Sequence, residues 1–123
     1  MKIKKLFAIC LLVENYEKSL DFYTNILGFE VNSKDGVFTD FKLGETSLAV
    51  FQKDGAEGMF PKKYMKVGGS AVIAFQVSNL EKFCKNIVEK GIKIFEGPKT
   101  TEWGQKVAYI QDPDSNIIEI SEE

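Results

Sequence analysis

Val13-Glu14-Asn15-Tyr16-Glu17-Lys18 is the stretch whose reading decides the fold, because it returns as Val77-Ser78-Asn79-Leu80-Glu81-Lys82. Position 13 against position 77 is an offset of 64, close to half of the 123 residues. Each copy ends an apolar run and opens a helical pattern. Each pattern then closes on a glycine, Gly28 in the first and Gly91 in the second. A repeat of that length is too long for a solenoid unit. It predicts two similar modules, each entered through a strand and a helix.

Working outward from the first copy, Ile3 to Val13 is apolar and β-branched and reads as a buried strand. Asn15 suits an N-cap. Tyr16, Leu20, Tyr23 and Leu27 recur at helical spacing until Gly28. Phe29 to Asn32 begins a second strand, Ser33-Lys34-Asp35-Gly36 a hairpin turn, Val37 to Leu43 a third strand and Thr46 to Gln52 a fourth. Around the second copy the order repeats. Gly69 to Val77 is a strand, capped by Ser78 or Asn79. Leu80, Phe83, Cys84, Ile87 and Val88 mark an amphipathic helix. Ile92 to Phe95 is a strand broken by Gly97-Pro98, Trp103 to Gln111 alternates as another, and Ile117 to Ile120 closes the chain after the turn Asp112-Pro113-Asp114-Ser115-Asn116.

The expectation is an α+β fold of two βαβββ modules, 1–52 and 68–123, whose curved mixed sheets pack around a shared concave cavity. Between them, 53–67 is a connecting loop. Asp54-Gly55-Ala56-Glu57-Gly58 is loop-like, and Met59, Phe60, Tyr64 and Met65 bring apolar weight among Lys62, Lys63 and Lys66. That content suits either a seal on the core edge or a lid.

Composition excludes several function classes. A net charge of −2 with no basic stripe argues against nucleic acid. No apolar run reaches the roughly 18 residues of a membrane span. Met1-Lys2-Ile3-Lys4-Lys5 ahead of Leu6–Val13 imitates a leader, but a capped helix follows in place of a cleavage site, so the segment is expected to be a strand and the protein cytoplasmic. Cys10 and Cys84 read as small buried hydrophobes in a reducing compartment. The sequence has no histidine. That removes the commonest general base near neutral pH and every Ser-His or Cys-His arrangement.

Several motifs resemble one family. Val13-Glu14-Asn15-Tyr16-Glu17-Lys18-Ser19-Leu20-Asp21-Phe22-Tyr23 resembles the first helix entry of the vicinal oxygen chelate superfamily, and Ile26-Leu27-Gly28-Phe29 its helix exit. Glu102-Trp103-Gly104-Gln105, Gln111-Asp112-Pro113-Asp114-Ser115-Asn116 and Ile118-Glu119-Ile120 resemble its C-terminal signature, with Ser115 where glycine is usual. The superfamily includes glyoxalase I, extradiol dioxygenases and the fosfomycin- and bleomycin-resistance proteins. Its metal enzymes carry a histidine in the first strand, a carboxylate in the fourth, a histidine in the fifth and a glutamate in the last. Matched from Val-x-Asn, those positions fall on Ala8, on Ala49 or Phe51, on Val72 and on Glu119. Only Glu119 can bind a metal, and one carboxylate is not a site.

The resemblance therefore implies the fold of this family without its metal chemistry, in the style of the bleomycin-resistance branch. By strand alternation, residues in phase with those positions share one face. The expected ligand-binding residues are Cys10, Phe51, Gln76, Tyr109 and Glu119, with Trp103 at the rim and Phe60 from the connecting loop. Such a face suits a flat aromatic or cationic, antibiotic-like small molecule held by stacking and by Glu119. The expected protein is a metal-independent binding protein without cofactor, and the resemblance implies a homodimer. The alternative is a metal-dependent glyoxalase-type lyase or isomerase, with an oxygen-only Mg²⁺ or Mn²⁺ site built on Glu119 together with Asp40, Glu45 or partner carboxylates. A third reading is an interaction module with a vestigial pocket.

Overall fold

A computed structural model describes residues 1–56 and 59–123. The chain divides into two compact units, Met1–Gly68 and Gly69–Glu123, each built on a four-stranded mixed sheet.

In the first unit the strands are β1 (Ala8–Val13), β2 (Val31–Asp35), β3 (Phe38–Phe41) and β4 (Ser47–Gln52), ordered β1-β4-β3-β2. β1 pairs parallel with β4, and β4, β3 and β2 run antiparallel. The helix α1 (Tyr16–Asp21) is capped by Asn15, whose Oδ1 accepts from Lys18 N at 3.1 Å. The second unit repeats the plan with β5 (Val72–Val77), β6 (Glu96–Thr100), β7 (Lys106–Gln111) and β8 (Ile117–Glu122), ordered β5-β8-β7-β6. Its helix α2 (Leu80–Glu89) is capped by Asn79, whose Oδ1 accepts from Lys82 N at 3.0 Å. The repeat seen in the sequence is thus a repeat of one strand-cap-helix device.

One face of each sheet is buried under its helix. In the first unit Val13, Tyr16, Phe22, Tyr23, Phe41, Leu48 and Val50 are all at most 5% exposed. Tyr23, Phe29 and Phe41 meet with ring centroids 5.7–5.8 Å apart. In the second unit Leu80, Cys84 and Ile87 on α2 and Ala108, Ile110, Ile118 and Ile120 on β7 and β8 are all buried.

Several boundaries differ from the sequence reading, among them the starts of β5 at Val72 and of β7 at Lys106. β1 begins at Ala8, not Ile3, because its neighbour β4 begins at Ser47, opposite Ala8. The residues before it are exposed, Ile3 at 94% and Phe7 at 74%. The first helix is α-helical only to Asp21 and continues as a π-helix over Phe22–Ile26. There Thr24 Oγ1 donates to Leu20 O at 2.6 Å, a local bond that competes with the regular ladder. Phe29 is drawn into the aromatic core, so β2 starts later and runs through Asp35, and the turn moves to Gly36-Val37. Finally, the sixth strand is Glu96–Thr100 and not Ile92–Phe95, so Gly97-Pro98 lies inside β6 and does not break it. β6 is an edge strand, where a residue without an N–H costs no ladder bond, and the register shifts between Glu96 and Lys99.

The connecting segment forms 3₁₀ turns over Lys53–Ala56 and Lys62–Tyr64. Of the expected 54–58 loop, Glu57 and Gly58 lie outside the described residues. Among the described residues no helix is long and apolar enough to cross a membrane.

Candidate functional site

Register decides which side chains share the sheet face away from each helix, because residues paired across strands point the same way. In the first unit Cys10 lies opposite Ala49, Leu12 opposite Phe51, and Phe51 opposite Phe38. Cys10 is exposed, not the buried thiol expected from sequence, because β1 turns this side away from α1; Cys84 on α2 is buried as expected. Phe51 is half-buried and meets Phe38 edge to face at 5.5 Å.

Asp40 stands on the same face, opposite Ala49. Its carboxylate accepts from Asn32 Nδ2 at 3.1 Å, Ser33 N at 2.9 Å and Ser47 Oγ at 3.3 Å, and also from Ser33 Oγ. These donors, led by the Ser33 and Asn32 side chains, hold its pKa below the ordinary carboxylate value. It ties β2, β3 and β4 together at the β2 irregularity between Val31 and Ser33.

In the second unit Ala74 lies opposite Glu119, Glu119 opposite Tyr109, and Tyr109 opposite Glu96. The Tyr109 hydroxyl donates to Glu119 Oε1 at 2.8 Å. That bond, with burial and the carboxylate charge behind it, raises the Tyr109 pKa. Phe95 extends the aromatic surface, with its ring 6.1 Å from that of Tyr109, and is 44% exposed. Lys99 Nζ lies 5.9 Å from the Tyr109 ring centroid and 2.9 Å from Glu96 Oε2. Gln76 is exposed on β5, opposite Ser121.

The expected residues therefore form two groups within their own units, Cys10 with Phe51, and Gln76 with Tyr109 and Glu119. Trp103 sits on the turn before β7, 77% exposed, its Nε1–H donating to Gln105 Oε1 at 3.3 Å. Phe60 lies half-buried in the connecting segment. Phe95, Glu96 and Lys99 were not foreseen. The signal for them was β6 itself, which ended too early in the sequence reading to reach Lys99.

The family's metal can be tested against these side chains. Ala8, Ala49 and Val72 have no donor atom, and Glu119 is engaged by Tyr109. Asp40, a carboxylate named in the oxygen-only alternative, is committed to serine and asparagine donors. Among the described residues no three His, Cys, Asp or Glu side chains are grouped to hold a metal ion. Among the described residues, the side chains at the family's four positions do not fit a resident metal.

Comparison with known proteins agrees with the architecture. The chain is 30% identical over 123 residues to the uncharacterized protein YraH of Bacillus subtilis, covering 94% of this chain and 96% of that one. It is 30% identical over 118 residues to a probable lactoylglutathione lyase of Synechocystis, covering 88% and 87%. The crystal structure of TnmS3, an antibiotic binding protein from Streptomyces, superposes with a TM-score of 0.77 at 27% identity, covering 99% and 98%. The family profile described as Glyoxalase/Bleomycin resistance protein/Dioxygenase superfamily matches residues 5–120, and the chain belongs to that superfamily.

Proposed function

We infer that this protein is a metal-independent small-molecule binding protein whose ligand is aromatic or cationic and antibiotic-like. The observation that carries the reading is the Tyr109–Glu119 hydrogen bond on a sheet face flanked by Phe95. Where a metal enzyme of the family keeps a glutamate for its ion, this chain points a carboxylate at a tyrosine hydroxyl. The carboxylate supplies negative charge and the two rings supply a stacking surface, each contact contributing about 0.5–2 kcal/mol. Gln76 adds an amide on the same sheet. TnmS3, similar over nearly the whole chain, is an antibiotic binding protein, which supports this class of ligand.

The test is a binding screen of aromatic cations, followed through the single tryptophan, Trp103, and by thermal shift. Saturable binding that weakens on Glu119→Gln supports the reading. A flat response across the library counts against it. The similarity to a probable lactoylglutathione lyase keeps a metal-dependent lyase as the second reading. Elemental analysis after incubation with Mg²⁺, Mn²⁺, Ni²⁺ and Zn²⁺ separates the two, since the lyase requires stoichiometric metal. A homodimer is the expected assembly, checked by light scattering.

A further inference from the structure

We propose that Lys99 is a built-in cation on the Tyr109 ring, and that it sets the specificity of the Tyr109–Glu119 face by competing with a ligand's positive charge. The inference rests on the binding reading above and deepens it. A cation within about 6 Å of a ring centroid is attracted by the negative face of the π-system. Lys99 Nζ occupies that position at 5.9 Å, on a ring whose hydroxyl is tied to Glu119 Oε1.

Two features make the lysine an exchangeable occupant. Its anchor is a half-exposed pair with Glu96, at 2.9 Å, and such pairs are weak. It also lines a cavity of about 610 Å³, together with Ser78, Leu80, Glu81, Lys106 and Glu122. A displaced ammonium can swing into that space toward the Glu81 carboxylate, since Glu122 already accepts from Leu80 N at 3.1 Å and pairs with Lys106 at 3.6 Å, and the swing leaves Tyr109 and Phe95 bare. An incoming aromatic cation then takes over the ring face and gains attraction from Glu119. An aromatic anion meets the opposite situation, because it keeps Lys99 as a partner and faces Glu119 as a repelling charge.

The experiment compares wild type, Lys99→Gln and Glu119→Gln, with ethidium as the planar cation and 1-anilinonaphthalene-8-sulfonate as the planar anion, by fluorescence titration at low salt. Lys99→Gln is expected to bind ethidium about two- to fivefold tighter and the anion about two- to fivefold more weakly. Circular dichroism should show all three proteins equally folded, since both positions lie at the surface or half-buried. Ethidium binding that weakens on Glu119→Gln but is unmoved or weakened by Lys99→Gln overturns the role of Lys99 and leaves the binding reading standing. Ethidium binding to none of the three proteins overturns both.

Discussion

Replacing Asp40 with asparagine should lower stability by about 1–2 kcal/mol near neutral pH. The figure follows from its contacts. The carboxylate accepts from Asn32 Nδ2, Ser33 N, Ser33 Oγ and Ser47 Oγ. Asparagine keeps one acceptor oxygen, so about half of these bonds survive, and its NH₂ is turned toward donors. A hydrogen bond to a charged acceptor contributes about 1.5–3 kcal/mol, less where water can replace it, as at this partly exposed residue. The pH dependence gives the sharper check. These donors lower the folded pKa of Asp40, so the native state binds fewer protons here than the unfolded chain. The stabilisation is complete above the unfolded pKa, about 4, and is lost as pH falls through the lower folded value. The gap between wild type and Asp40→Asn should therefore be full at neutral pH and shrink in acid. Urea unfolding followed by far-UV circular dichroism reads it directly, since Trp103 lies in the other unit. A gap under about 0.3 kcal/mol at neutral pH, or one that does not change in acid, would refute the reasoning.

Tyr109 should be among the last tyrosines to ionise in an alkaline titration read by phenolate absorbance, and Glu119→Gln should bring its pKa down, because the carboxylate bond and charge favour the neutral phenol. Stability from that bond is present below the unfolded tyrosine pKa and is lost as pH rises through the raised folded value. Gly97→Ala should cost about 2 kcal/mol or more by thermal unfolding, because Gly97 has φ +87° and an added Cβ would lie 2.7 Å from Val107 O. Ile110→Ala, at a site with no exposure, should cost about 2–5 kcal/mol in the same assay, and a loss under 1 kcal/mol would mean the helix-facing core is misassigned. Asn79→Ala should cost about 1 kcal/mol through loss of the cap on Lys82 N.

The duplicated Val-x-Asn entry was legible as sequence because its causes are local. A short side chain that caps a helix, apolar residues at helical spacing and a closing glycine act within a few residues of one another. That signal determined both strand-cap-helix units and, with eight strand-like segments, the α+β class. The lack of metal donors was equally legible, since Ala8 and Val72 carry none in any conformation. The hairpin at Asp35-Gly36 was legible too, but strand ends and register were not. Where β1 begins depends on where β4 begins, Phe29 leaves its strand for a ring cluster contributed by Tyr23 and Phe41, and β6 passes through Gly97-Pro98 because it lies at an edge. For the candidate site, alternation placed Tyr109 and Glu119 on one face, but only cross-strand register brought the hydroxyl to the carboxylate and set Lys99 over the ring. Asp40 reads in sequence as one acidic residue among many. Tertiary structure alone decided that four donors from two neighbouring strands converge on it, because a hydrogen bond between strands depends on which residues face each other, and no local pattern records that.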